Sequence, residues 1–204
     1  RPWLSVRSSC GRHLAMWQAQ LSHRRVTFHV LRITFGGPAL RVLLINTNRE
    51  RRPYPVMPIG LTYVAQALAA DDHPVQLLDL TFAGEPWQAI ARAIQALQPQ
   101  MIGLSIRNLD NSSYASPHSY LADVHHAIVA CRQATSAPLV IGGPAVGIAP
   151  ARLLTYLDAD AAVAGEGERA APALASALAE GRRGWPIAGV LWAGEHVGAA
   201  CEPG

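Results

Sequence analysis

Five short aliphatic runs set the architecture of this chain. They begin at Val42 (VLLINT), Val75 (VQLLDL), Met101 (MIGLSI), Leu139 (LVIGG) and Ala161 (AAVAGE). Each is continuously apolar rather than alternating, the pattern of strands buried on both faces. Helical periodicity lies between them. Trp87, Ile90, Ile94 and Leu97 recur at helical spacing with Gln88, Arg92 and Gln95 opposite, and Leu61, Val64, Ala65 and Leu68 repeat the pattern. Leu121, Val124, Ile128 and Cys131 form a third set, which makes Cys131 a small core residue. A fourth helix is predicted from Ala170 to Glu180, with Pro172 tolerated in its first turn. Strand and helix in alternation, joined by right-handed crossovers, give a parallel sheet covered on both faces. The prediction is an α/β fold: a doubly wound, flavodoxin-like (Rossmann-like) five-stranded parallel sheet. Ile187–Trp192 followed by a Gly194-Glu195 turn adds a short C-terminal hairpin.

This pattern occupies residues 41–181. Residues 1–40 hold six Arg and no acid, lack clear periodicity, and read as an unstructured or non-native extension, with Met16 an internal start candidate. Residues 182–204 read as the hairpin and the start of a linker, and the first residue Arg1 and the final Pro-Gly suggest a fragment. The net charge of +3 belongs to the extension. Residues 41–204 carry eleven Arg against fourteen acids, a net −3, which argues against nucleic acid as a partner. The chain contains no Lys, so a P-loop, a pyridoxal-phosphate Schiff base and a receiver-type phosphorylation site are all excluded in their usual forms. Cys10, Cys131 and Cys201 are too far apart for a zinc or iron–sulfur motif, and their sparse, odd number suggests a reducing, cytoplasmic setting. No apolar run approaches the roughly 20 residues that span a membrane.

In an open α/β sheet, ligands bind beyond the carboxyl ends of the strands. Those ends read Asn46-Thr47-Asn48, Asp79-Leu80-Thr81, Ser105-Ile106-Arg107-Asn108, Gly142-Gly143-Pro144 and Gly165-Glu166-Gly167-Glu168. Their convergence on one edge is the physical pointer to a site. Each also has a plainer reading. Gly142-Gly143 serves equally as a turn, Glu166 and Glu168 as acids at a helix N-terminus, and Asp79 as a loop cap. Arg107 at a strand end needs an acid or a ligand, and Asp110 is the nearby acid. The loop NTNRERRPYPVMPIG, from Asn46 to Gly60, is long for a compact domain and ends where a helix opens at Ile59 or Gly60.

Together these residues resemble a known family. The run VLLINTN…MPIGLTYVAQAL, then VQLLDL, GLSIRNLDN, LVIGGPAVGIAP and AVAGEGE, is similar over residues 41–181 to the N-terminal cobalamin-binding domain of cobalamin-dependent radical S-adenosylmethionine enzymes. The hairpin segment IAGVLWAGE continues the likeness. The resemblance implies that cobalamin lies over the strand ends with its nucleotide tail in the crevice. The implied cofactor-binding residues are Asn46, Thr47, Asn48, Arg49, Ser105, Ile106, Arg107, Asn108, Gly142, Gly143, Pro144, Gly165 and Glu166. Ser105 would face the tail base, and Gly142 and Gly143 would let the tail pack on bare backbone. A leucine at Gly143 is expected to fill that groove and leave the fold intact.

The DxHxxG motif of methionine-synthase-type domains is absent, because the first strand is followed by NTNRER, so no protein metal ligand is expected. Of the histidines, His118 is the one near the correct edge; His73 precedes a strand, and His125 and His126 fall mid-helix. In the family a barrel with a CxxxCxxC motif follows, holding a 4Fe–4S cluster that works with S-adenosylmethionine. That motif is missing from these residues, so the resemblance implies the non-catalytic cofactor domain of a truncated enzyme. The parent enzyme would be a methyltransferase acting from methylcobalamin on an unactivated carbon or phosphorus. The implied partners are cobalamin and the chain's own missing barrel. The alternative is a flavodoxin-like binding or interaction module for another ligand, without chemistry of its own.

Overall fold

The first strand, β1 (Val42–Asn46), is buried at all five positions. An open sheet grants that only to an interior strand with helices above and below. In the computed structural model, which describes residues 39–111 and 114–194, β1 pairs in parallel with β2 (Val75–Asp79) and with β3 (Met101–Ser105). β4 (Leu139–Gly142) and β5 (Ala161–Val163) extend the parallel set. The five expected parallel strands are therefore all present.

A sixth strand forms within the segment expected to be the first arm of the hairpin. β6 (Val190–Trp192) pairs antiparallel with β5, and the sheet order is β2-β1-β3-β4-β5-β6. A short isolated hairpin is marginal in water, whereas the free edge of β5 offers unpaired backbone groups. Trp192 anchors the added strand, buried to 6% exposure with its indole Nε1 donating to the Trp185 carbonyl at 2.9 Å. The return arm after Gly194, the linker and the extension over residues 1–38 lie outside the described residues.

Among the described residues five α-helices cover the sheet: α1 (Ile59–Ala70), α2 (Pro86–Leu97), α3 (Leu121–Ala134), α4 (Pro150–Tyr156) and α5 (Gly167–Ala179). α4 has only seven residues and buries Leu153 and Leu154. Two turns are too few to show a period in sequence, which is why it is not predicted. Strand residues divide by parity. Leu43, Ile45, Ile102 and Leu104 pack with α2, α3 and α4, while Val42, Leu44, Met101 and Val140 pack with α1 and α5. The alternation is invisible in hydropathy because both faces are dry. Cys131 is fully buried on α3, and burial pushes its thiol pKa up to about 12, as expected of a core residue. No helix among the described residues is long and apolar enough to cross a membrane.

The chain leaves β1 through α1 toward β2, then returns over β1 through α2 to β3. The two directions part between β1 and β3, so their carboxyl ends diverge there. Asn46 and Ser105 face each other in register at that point.

At the opposite edge His73 is buried, its Nδ1 accepting the Leu40 N–H at 3.2 Å. Its Nε2 lies 3.4 Å from the Ser176 hydroxyl. Burial lowers its pKa below the usual 6.5, against the opposing pull of Asp71 and Asp72. The unfolded chain therefore binds the proton more tightly than the fold does. The stability this residue provides is full above pH about 6.5 and is lost as pH falls through the depressed folded value. The urea midpoint should drop between pH 7.5 and 5.5, and His73→Gln should flatten that dependence. Leu43→Ala, at a fully buried position of β1, should cost about 2–5 kcal/mol in denaturant titration.

Candidate functional site

The carboxyl edge is organised around Asn46, which is only 3% exposed. Its Nδ2 donates to Asp79 Oδ1 at 2.8 Å and approaches the Thr81 hydroxyl at 3.3 Å. Asp79 Oδ1 also accepts the Thr81 N–H at 3.0 Å, so Asp79 does cap its loop. Asn46 Oδ1 accepts the Asn48 N–H at 3.3 Å. Thr47 donates its hydroxyl to the Ser105 carbonyl at 2.8 Å, joining the ends of β1 and β3.

The long loop after β1 is fastened from both sides. Arg51 Nε donates to the Thr81 carbonyl at 2.7 Å, and its guanidinium lies over Phe82 at 5.2 Å. Glu50 accepts the N–H groups of Arg52 and Arg51, which hold its carboxyl below the usual range, and Tyr120 donates to its other oxygen at 3.3 Å. Arg49 turns away toward Asp123 at 3.7 Å and Trp87 at 5.7 Å.

Beside this edge a groove of about 590 Å³ descends between the sheet and the helices α1 and α5. That lies within the range of small-molecule sites, roughly 300–1,000 Å³. Its floor is layered by strand register. The outer layer is Asn46, Ser105, Gly142 and Val163; the inner layer is Leu44, Gly103 and Val140; Met101 lies deepest. The roof is formed by Leu61 and Val64 of α1 and Ala171 and Leu174 of α5. The two helices meet closely, since a Cβ at Gly167 would stand 2.9 Å from Val64 Cγ2.

Two features of the groove suit an elongated ligand with a flat end. Gly103 and Gly142 each leave one position of the floor without a side chain, one in each layer. A Cβ at Gly142 would make only ordinary contact, 3.7 Å from Val163 Cβ, and a Cβ at Gly103 would press on Leu44 Cδ2 at 2.7 Å. Asn48 lines the groove with its Nδ2 buried and without a hydrogen-bond partner, although its Oδ1 accepts the Glu50 N–H at 3.3 Å. A buried amide donor without a partner is costly unless a ligand takes it.

Of the residues expected at the site, Asn46, Asn48, Ser105, Arg107, Gly142, Gly143, Pro144 and Gly165 line the groove. Thr47, Arg49 and Asn108 do not; with Arg107 and Asn48 they line a separate crevice of about 10 Å³. Ile106 belongs to the core beneath α2 and α3, and Glu166 is exposed outside the groove. Glu168 reaches the groove instead. Arg107 is exposed at the shared rim and makes no ion pair among the described residues; Asp110 instead bridges to Ser119. Gly103 is absent from the expected set. Its signal was a lone glycine inside the apolar run MIGLSI, which marks close approach of backbone or ligand.

Among the described residues no histidine lines the groove. His118 is exposed with its ring edge against Tyr120, and His125 and His126 sit on α3, across the sheet. No group of three His, Cys, Asp or Glu among the described residues gathers as metal ligands.

Residues 45–175 match the B12 binding domain family, and the chain belongs to that family. The expected cobalamin-binding domain, with its Rossmann-like fold, is thereby shown. The chain is 35% identical over 143 residues to tryptophan 2-C-methyltransferase of Streptomyces laurentii, covering 69% of this chain and 23% of that protein. It is also similar to the radical S-adenosylmethionine methyltransferase TsrM of Kitasatospora setae, solved with cobalamin and a 4Fe–4S cluster bound. That match has a TM-score of 0.71 and 29% identity, over 76% of this chain and 27% of TsrM. The cobalamin-dependent S-adenosylmethionine radical enzyme OxsB shares the fold at a TM-score of 0.56 and 19% identity, over 74% of this chain and 20% of OxsB. The chain thus spans about a quarter of the length of these relatives.

Gly143 requires a correction. Its φ is +99°, and a Cβ there would stand 2.7 Å from the Ile106 carbonyl oxygen and 3.0 Å from its nitrogen. A leucine at 143 therefore strikes backbone before it fills any groove, and it is expected to destabilise the fold rather than leave it intact. Gly143→Ala should cost about 1–3 kcal/mol from backbone strain alone, with the clash added to it. Gly142→Ala should stay within about 1 kcal/mol. Paired thermal melts of the two variants test this contrast.

Proposed function

We propose that this chain is the cofactor-holding domain of a cobalamin-dependent radical S-adenosylmethionine methyltransferase, spanning residues 41–181, with residues 182–204 leading toward a catalytic barrel. The observation that carries the reading is the groove at the switch point. Its floor lacks side chains at Gly103 and Gly142, and Asn48, which lines it, holds a buried amide nitrogen without a partner. Residues present thus fit the nucleotide tail of a corrinoid.

In this reading Asn48 donates its free amide hydrogens to the cofactor, and Ser105 offers its hydroxyl from the outer layer. Arg107 supplies a cation at the rim, where the phosphodiester of the tail enters. The bond set around Asn46 keeps the loop from Asn48 to Gly60 at the mouth. Bound cobalamin supplies the methyl-transfer chemistry, and the 4Fe–4S cluster and S-adenosylmethionine belong to the barrel. The substrate side follows the relatives: transfer to a carbon, as the tryptophan methyltransferase does. The acidic balance of residues 41–204 speaks against nucleic acid as a partner, and the inert buried thiol of Cys131 fits a reducing, cytoplasmic setting.

The test is direct. The full chain is mixed with hydroxocobalamin and desalted, and its visible spectrum is recorded. Retention near one equivalent is expected. Gly142→Leu, which places a side chain in the outer layer, should weaken retention at least tenfold while melting as a folded protein. Failure of the wild-type chain to retain corrinoid would count against the reading.

A further inference from the structure

The groove is polar outside and apolar inside. Asn46, Asn48, Ser105, Arg107 and Glu168 all stand at the mouth or in the outer layer. Below them Leu44, Gly103, Val140 and Met101 form the floor, under Val64 and Leu174. Among the described residues no polar side chain lines that inner part. The backbone offers little more, because the floor strands spend their N–H and C=O groups on the parallel ladders. The inner part is also deep. From Ser105 to Met101 is four residues, about 13 Å at the rise of a strand.

Corrinoids differ chiefly in the base that ends their nucleotide tail. The base is joined to its sugar through a five-membered ring, so the six-membered ring lies farthest from the sugar. In dimethylbenzimidazole that outer ring is all carbon and carries two methyl groups. In adenine it carries two ring nitrogens and an amino group. A tail whose sugar–phosphate stays at the mouth beside Arg107 would send this outer ring deepest. An adenine there would bury three polar groups with no partner, whereas the benzimidazole would bury only carbon.

We propose that this groove selects the corrinoid by its lower base, taking a benzimidazole tail over a purine tail through the apolar layer at Leu44, Gly103 and Val140. The inference rests on the cobalamin reading above and adds a specificity to it.

The experiment measures retention of three corrinoids on the full chain: hydroxocobalamin, its adenine analogue with an otherwise identical tail, and cobinamide, which lacks the nucleotide. Cobalamin should bind at least tenfold more tightly than either of the others. Val140→Thr, nearly isosteric but with a hydroxyl in the inner layer, should narrow the cobalamin-to-adenine ratio at least threefold. Equal affinity for the two bases, with cobinamide weaker, would overturn the selection and leave cobalamin binding standing. Equal affinity for cobinamide and cobalamin would show that the tail is not seated, and would also overturn it. An unchanged ratio in Val140→Thr would remove the inner layer as the selector. Retention of none of the three would instead sink the cobalamin reading itself.

Discussion

One oxygen of Asp79 receives three donors, the Asn46 amide, the Thr81 backbone and the Thr81 hydroxyl, all within 3.0 Å. This fixes the end of β1 against the end of β2, where an interior strand would otherwise open into loop. Asn46 then passes the constraint on, because its own oxygen holds the Asn48 backbone. Asn48 in turn is oriented by the Glu50 N–H, which leaves its amide hydrogens directed away from that bond and unpartnered. Charge-assisted bonds to a carboxylate are stronger than neutral ones. The anchoring acid is therefore placed where the whole edge depends on it, while the group left unsatisfied lies one step farther along, buried beside the groove.

The groove itself is a product of strand register. Parallel pairing aligns Leu44 with Gly103, and Gly103 with Val140, while one step outward it aligns Asn46 with Ser105 and Ser105 with Gly142. Each layer contains one glycine: at Gly142 the missing side chain leaves space beside Val163, while at Gly103 the Leu44 side chain covers the bare backbone. Empty apolar space in a core normally destabilises a fold. Here the space is opened to solvent at the carboxyl edge and walled by helices α1 and α5, which is the arrangement of a binding site rather than a packing defect.

Much of this was legible in the sequence. The five parallel strands and four of the helices follow from aliphatic runs alternating with helical periods, and the convergence of polar strand ends follows from the topology of such a sheet. What escaped reading depended on direction and on partners. Arg49 and Arg107 are both arginines at strand ends, yet one is drawn off to Asp123 and Trp87 while the other stays at the rim. Gly142 and Gly143 are adjacent, yet one faces the groove and the other faces the backbone of Ile106. Gly103 was hidden inside an apolar run, since its parity relative to the groove appears only once β3 is paired. The short α4 and the antiparallel β6 escaped because each is set by a tertiary neighbour, not by local pattern.

The roof of the groove joins two helices from opposite ends of the domain. α1 enters soon after the first strand, whereas α5 begins only at Gly167, and their close approach at Val64 encloses the channel. A chain emerging from the ribosome therefore has its floor glycines in place well before it has a roof. The pocket is enclosed only when the last α/β unit docks on the first, a contact between residues about a hundred positions apart in the chain. Cofactor capture is thus a reporter of completed folding, and the corrinoid has nothing to hold in a nascent or C-terminally shortened chain. Once seated it stabilises the docked state in proportion to its free concentration, so supply of the cofactor and survival of the domain are tied together.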